Sequence, residues 1–236
     1  FVFLTNVHFP TDLNLLKDAV RKILDIGTAL ASAFDFSGWR ETKSQQEKFR
    51  ASYNKLSKMR NSNSKKEELK QKRKQEIEDQ VKKYLALAQS HLKKASELQE
   101  KLPKESPEFK LYLDYTELFI DQITRRVLNE EVIPAAEKVY SIFESYTEWI
   151  CKGKAGVRQE LGVKVCIVED QFGFILGHRV MKHEQDKDVA VIMTEQVQKA
   201  HPFLKSISFD KGFYAKPDKD GNSNQSRIEV LGVTPI

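Results

Sequence analysis

Long apolar runs are missing from this 236-residue chain. None approaches the roughly 20 residues that a helix needs to cross a bilayer. Cysteine is almost absent: Cys151 and Cys166 are the two. Their spacing fits no zinc site, and two thiols cannot staple a disulfide scaffold. Both are expected as core thiols in a reducing cytoplasm. No glycine-rich loop of the Walker type is present, no dinucleotide fingerprint and no Gly-x-Ser-x-Gly. Those absences argue against an ATPase, a nicotinamide or flavin enzyme and a serine hydrolase. The opening Phe-Val-Phe-Leu lacks a basic flank and a small-residue cleavage site, so a signal peptide is not expected. The chain has no initiator Met and starts on a strand-like run, as if inside a domain.

What is there suffices for a packed core. Hydrophobic residues make up 40% of the chain and charged ones 31%, a balance unlike that of disordered segments. The net charge is +5 and the pI about 9.0. That is compatible with a polyanionic partner and does not by itself establish one.

Three zones follow one another. In residues 1–36, positions 1–7 have the Phe and Val content of a strand. His8-Phe9-Pro10 ends it, because proline cannot donate to a ladder. Thr11 or Asp12 then caps a helix whose stripe is Leu13, Leu16, Val20, Ile23, Leu24 and Leu30. In residues 37–148, Gly and Pro are scarce and helices dominate. One helix is expected over 44–59. A turn over 61–64 follows, with Ser64 and Glu67 as a capping box. The next helix runs to about 102. Its seam of Ile77, Val81, Tyr84, Ala88, His91, Ala95, Leu98 and Leu102 alternates spacings of four and three, as in a coiled coil. A return helix carries Phe109, Leu113, Ile120, Ile123 and Val127, so the pair should form an antiparallel hairpin. A further helix is expected over 134–146.

The third zone, residues 149–236, begins with a β-branched strand over 161–169, a turn at 170–173 and a strand over 174–181. An amphipathic helix over 188–200 follows. A third strand is expected over 205–210 and a fourth over 227–233, with a loop at 217–226. The order suits an α/β fold: a mixed sheet with helices packed on it. The middle helical zone can be removed without disturbing the sheet order, as an insertion can.

Candidate functional residues are few. Asp210 stands at the end of an expected buried strand, where open sheets place reactive groups. A two-metal nuclease needs several such carboxylates converging on Mg²⁺, and Asp210 can supply one. The plainer reading is a turn residue before Gly212. Asp12 is most simply a helix cap, Asp186 and Asp188 favour a helix start through its dipole, and Glu169 and Asp170 belong to a turn. Lys152 and Lys154, with Lys211, are candidate phosphate contacts, or else a solvated loop. Residues 64–84 hold eight Lys or Arg against five Asp or Glu. That segment is either a solvated helix face or a surface for the DNA backbone. His91 lies on an apolar seam with no ligand one turn away, so it is expected as a packed histidine.

Three segments resemble the transposases of bacterial insertion sequences with an RNase H-like DDE core. They are Asn6-Val7-His8-Phe9-Pro10-Thr11-Asp12 continuing into the helix as far as Arg21; Trp149 to Ala155 continuing through Glu160 to Leu176; and Ser206-Ile207-Ser208-Phe209-Asp210-Lys211-Gly212-Phe213-Tyr214. Together they occupy about a quarter of the chain, in the family's order. The resemblance implies an RNase H-like mixed sheet interrupted by a long all-α helical hairpin. Residues 1–36 would then open the core, 37–148 would be the insertion, and 149–236 the rest of the core, cut short before the last catalytic helix. It implies DNA cleavage and strand transfer with Mg²⁺ or Mn²⁺, and Asp210 as the second of three metal-binding carboxylates. The first would stand about two residues before Phe1 and the third beyond Ile236. The chain alone is therefore expected to be inactive in strand transfer. The implied partner is DNA, at the transposon ends and the target, with a homo-oligomer and a place near the bacterial nucleoid. The stretch 216–225 is richer in Asn, Asp and Gly than the family's pattern. A non-catalytic helical adaptor, with the hairpin as a binding arm for protein or nucleic acid, is the competing expectation. The two differ at one point: a transposase core should set the opening strand beside the strand that ends at Asp210.

Overall fold

A computed structural model describes residues 2–4, 10–60, 67–151 and 158–236. Helices and strands are mixed along the chain: β1 (Val2–Leu4), α1 (Asp12–Ala33), α2 (Thr42–Arg60), α3 (Glu67–Lys101), α4 (Pro107–Ile123), β2 (Glu148–Cys151), β3 (Gln159–Glu169), β4 (Ile175–Met181), α5 (Asp186–Ala200), β5 (Ser206–Ile207), α6 (Asn224–Val230) and β6 (Thr234–Pro235). They sort into two compact units, one of residues 7–145 and one of residues 1–6 with 146–236.

The first unit is helical. The Thr11 side chain accepts from the Asn14 N–H at 3.2 Å and starts α1, while Asp12 pairs with Arg126 at 2.7 Å. Leu13, Leu16, Val20, Ile23 and Leu24 are buried along the expected stripe. The stripe meets α4 as well as α3, which is why α1 belongs with the helices and not with a sheet core bounded at residue 36. The α3 seam is buried from Val81 to Leu98, with Ile77 and Leu102 half-buried. Ser106 caps α4 ahead of Pro107, whose missing N–H costs nothing at a first helical position. Gly27 is needed where it stands: an added Cβ would lie 2.4 Å from the Trp39 ring. Lys94 covers that ring 4.3 Å from its centroid.

Residues 134–146 do not form the expected helix. One 3-10 turn, Ala135–Glu137, is present. The Gln122 amide donates to the Glu137 carbonyl, and the Ser141 hydroxyl accepts from the N–H groups of Phe143 and Glu144. Those side chains satisfy backbone groups that a helix ladder would otherwise take, and Ile133 and Ile142 anchor the segment in the interior.

In the second unit β3 is the spine. Eleven residues long, it pairs antiparallel with β1 along one edge and with β2 and then β4 along the other. The β3–β4 turn is closed by the Asp170 carboxylate, which accepts from the Phe172 and Phe174 N–H groups, and by Gly173 at φ +83. Glu169 and Asp170 are thus turn residues. Helix α5 packs Val189 and Met193 on Cys166 and Met181. Cys166 is buried as expected, whereas Cys151, at the exposed end of β2, is not a core thiol.

Three corrections concern the end of the chain. The strand expected over 205–210 is the two residues of β5, because Asp210 turns away into a 3-10 turn. The strand expected over 227–233 is helix α6, started by a reciprocal Ser223–Ser226 box and packed through Ile228. And β5 pairs in parallel with β6, so β1 and β5 belong to different sheets among the described residues. Ser206 and Ile207 pair with Thr234 and Pro235, and the described residues of β1 pair with β3.

Candidate functional site

A recess in the second unit forms where β5 hands over to α6. Ile207 is buried, and Phe209 packs its ring 5.5 Å from that of Phe213. Between them, Asp210 caps the turn Lys211–Phe213: its Oδ1 accepts from the Lys211 N–H at 2.6 Å. Gly212 fits because the Asp186 carboxylate lies against it. An added Cβ would sit 2.8 Å from Asp186 Oδ2. Asn224, at the start of α6, donates to the carbonyls of Lys187 and Phe213 and ties the turn to α5. The result is a recess of about 430 Å³ with Ala190, Phe209, Phe213 and Ile228 among its apolar lining residues, and Asp210, Lys211 and Tyr214 as polar ones.

Asp210 and Lys211 are therefore exposed neighbours on the recess. Lys152 and Lys154, the other candidate phosphate contacts, lie outside the described residues, as do residues 61–66, the expected turn and capping box. Asp186 and Asp188 stand in the first turn of α5. Asp188 accepts from the Gln185 N–H there, the structural role expected of it. His91 is buried and meets the Phe49 ring edge-on at 5.8 Å, a packed histidine. Tyr214 ends the third resembling segment, which assigns it no role, and follows Asp210 around the same turn. Asn224 escaped sequence reasoning: it belongs to no motif, and only the return of α6 brings it to the recess.

One carboxylate with a lysine beside it can accept hydrogen bonds, attract a phosphate to the ammonium, or give a metal a single ligand. The pair of Mg²⁺ ions that the family resemblance implies needs several carboxylates at one place. Among the described residues, no group of three His, Cys, Asp or Glu side chains is placed to hold a metal. Asp218 is engaged in its own turn: backbone N–H groups of Asn222 and Asp220, and Arg227, hold its pKa below the ordinary carboxylate value. The donor set present does not fit a two-metal centre, and no cleavage step is derived through one. No helix among the described residues is long and apolar enough to cross a membrane. No protein-family model, no curated protein and no solved structure matches the chain.

Proposed function

We propose that this chain is the core, or a remnant of the core, of a DDE-type transposase whose RNase H-like sheet carries a helical insertion, with DNA as partner. The observation that carries the reading is Asp210: a strand-exit carboxylate beside Lys211, open on a recess, inside the segment that resembles the family's second carboxylate. An antiparallel run β1–β3–β4 and a parallel pair β5–β6 are the kinds of pairing such a core uses, but among the described residues they lie in two sheets where the core would join them in one. The three motif segments in their order support the reading. Asp210 would be a ligand for Mg²⁺ or Mn²⁺ only together with carboxylates that the described residues do not gather. By itself the chain should not perform strand transfer.

The test places a DNA phosphate at Asp210. In a Cys151→Ser background, which removes the exposed thiol, Asp210→Cys is treated with duplex DNA of about 30 base pairs carrying bromoacetyl-phosphorothioate groups. Cross-linking from position 210, and none from an Asp220→Cys control, is expected. DNA that binds but never links at 210 removes Asp210 from the site. An absence of DNA binding removes the reading.

The adaptor reading keeps one specific observation in its favour. Residues 7–145 form a compact unit with their own core, and the described part of β1 does not lie beside β5. An adaptor would either bind no duplex DNA or bind it without a cross-link forming from position 210.

A further inference from the structure

Helix α2 has two opposite faces. Thr42, Phe49 and Leu56 are buried on one. Neutral polar side chains flank that face and bond to the rest of the unit: Gln45 accepts from Lys94, Gln46 donates to Asp25, and Ser52 accepts from Gln80. The other face is basic. Lys43, Lys48, Arg50, Lys55 and Lys58 are all exposed, with Glu47 as the single acid of the helix. Lys43, Arg50 and Lys58 fall within about 80° of one another around the axis, and the five span about 22 Å along it. None of the five makes an ion pair or hydrogen bond among the described residues. Several cations elsewhere in this unit do have partners, although Lys82, Lys83 and Lys93 of α3, like the five of α2, make no ion pair or hydrogen bond among the described residues. Lys74 pairs with Glu130, Lys110 with Asp114, Arg126 with Asp12, and Arg125 is held by three carboxylates.

A row of like charges left without counter-charges costs self-repulsion, which an anion relieves. Its length corresponds to six or seven phosphate steps of one DNA strand, at about 3.4 Å each. We infer that the outer face of α2 is a docking surface for the phosphate backbone of duplex DNA. This deepens the function proposed above and rests on it, since the charges alone would suit other polyanions. It also moves the contact away from residues 64–84. There, acidic residues alternate with the basic ones and dilute the field. On α2 one glutamate faces five cations.

The experiment is a salt titration of DNA affinity by fluorescence anisotropy, from about 50 to about 200 mM, on the whole chain. The probes are a labelled duplex and, separately, vesicles of phosphatidylcholine with phosphatidylserine. The variant is Lys43→Gln/Arg50→Gln/Lys58→Gln. A control removes equal charge from α3 of the same unit, as Lys82→Gln/Lys83→Gln/Lys93→Gln. All substituted side chains are exposed, and unchanged circular dichroism and urea midpoints check the fold. Each lost phosphate contact lowers the slope of log K against log salt by about 0.9. The α2 variant should therefore lose about 2.7 from the slope and on the order of 10²-fold in affinity near 0.1 M salt. The control should lose less than one unit of slope. Equal losses in the two variants, or none in the α2 variant, overturn the surface while DNA binding by the wild type leaves the functional reading standing. A wild type without DNA affinity overturns both. Vesicle binding that depends on α2 in such a protein would identify the face as a lipid contact instead.

Discussion

His91 illustrates how much the surroundings of one residue decide. It sits at the Phe49 ring edge, and burial lowers its pKa from the ordinary value, with the Lys94 cation pushing the same way. The folded state therefore holds it neutral. The unfolded chain takes up a proton there once the pH falls below about 6.5. Stability from this site is complete above that pH, is lost as the pH falls toward the depressed folded value, and is lost no further below it. The urea midpoint of the wild type should exceed that of His91→Gln at about pH 7.5, and the gap should narrow by about pH 5. A gap independent of pH would show that packing alone keeps the histidine in place.

At the scale of elements, the join between α1 and α2 is set by a close approach rather than by a cap. The Trp39 ring occupies the volume that a side chain at position 27 would take, and Lys94 of α3 lies over the same ring. Trp39 is 7% exposed, so it has little room to retreat. Gly27→Ala should destabilise the protein by about 1–3 kcal/mol through overpacking, despite alanine's better helix propensity. Chemical denaturation with an unchanged m-value would verify it. A stabilised variant would mean that the ring yields freely. The α3–α4 pair shows the same principle on a larger scale. The sequence spacing identified both seams, but α4 gives its longest contact to α1, a partner about 90 residues earlier in the chain.

For the molecule as a whole, the two units differ in what holds them. The helical unit contains one large cluster of buried side chains, running from Leu13 to Ile142. Among the described residues, the sheet unit has two small ones, around Cys166 and around Ile207. Hydrophobic stabilisation follows buried area, so the sheet unit should open first. Each unit has its own tryptophan, Trp39 in the helical one and Trp149 in the other. In urea, the Trp149→Phe protein, where Trp39 reports, should show a later fluorescence transition than the Trp39→Phe protein, where Trp149 reports. Coincident transitions would mean that the units unfold as one.

The helices of residues 12–123, the β3–β4 turn and helix α5 were legible because periodicity, caps and turn residues act over a few neighbours: Thr11, Ser106, Asp170 and Gly173 do locally what their chemistry dictates. The exceptions came from distance. Residues 134–146 have helix-compatible composition, yet Gln122 captures their backbone. Residues 227–233 look like a strand until Ser223 and Ser226 cap a helix over them and Ile228 finds a buried place. Asp210 was recognisable as a strand-exit carboxylate, while its recess depends on Asn224 and Ile228 returning to it. Local sequence thus determined which segments are helical or extended and where charge accumulates, since those follow from neighbouring residues. Tertiary structure alone decided which strands share a ladder and which side chains surround Asp210, because pairing across about 160 residues, as between β1 and β3, is chosen by the packing free energy of the whole unit.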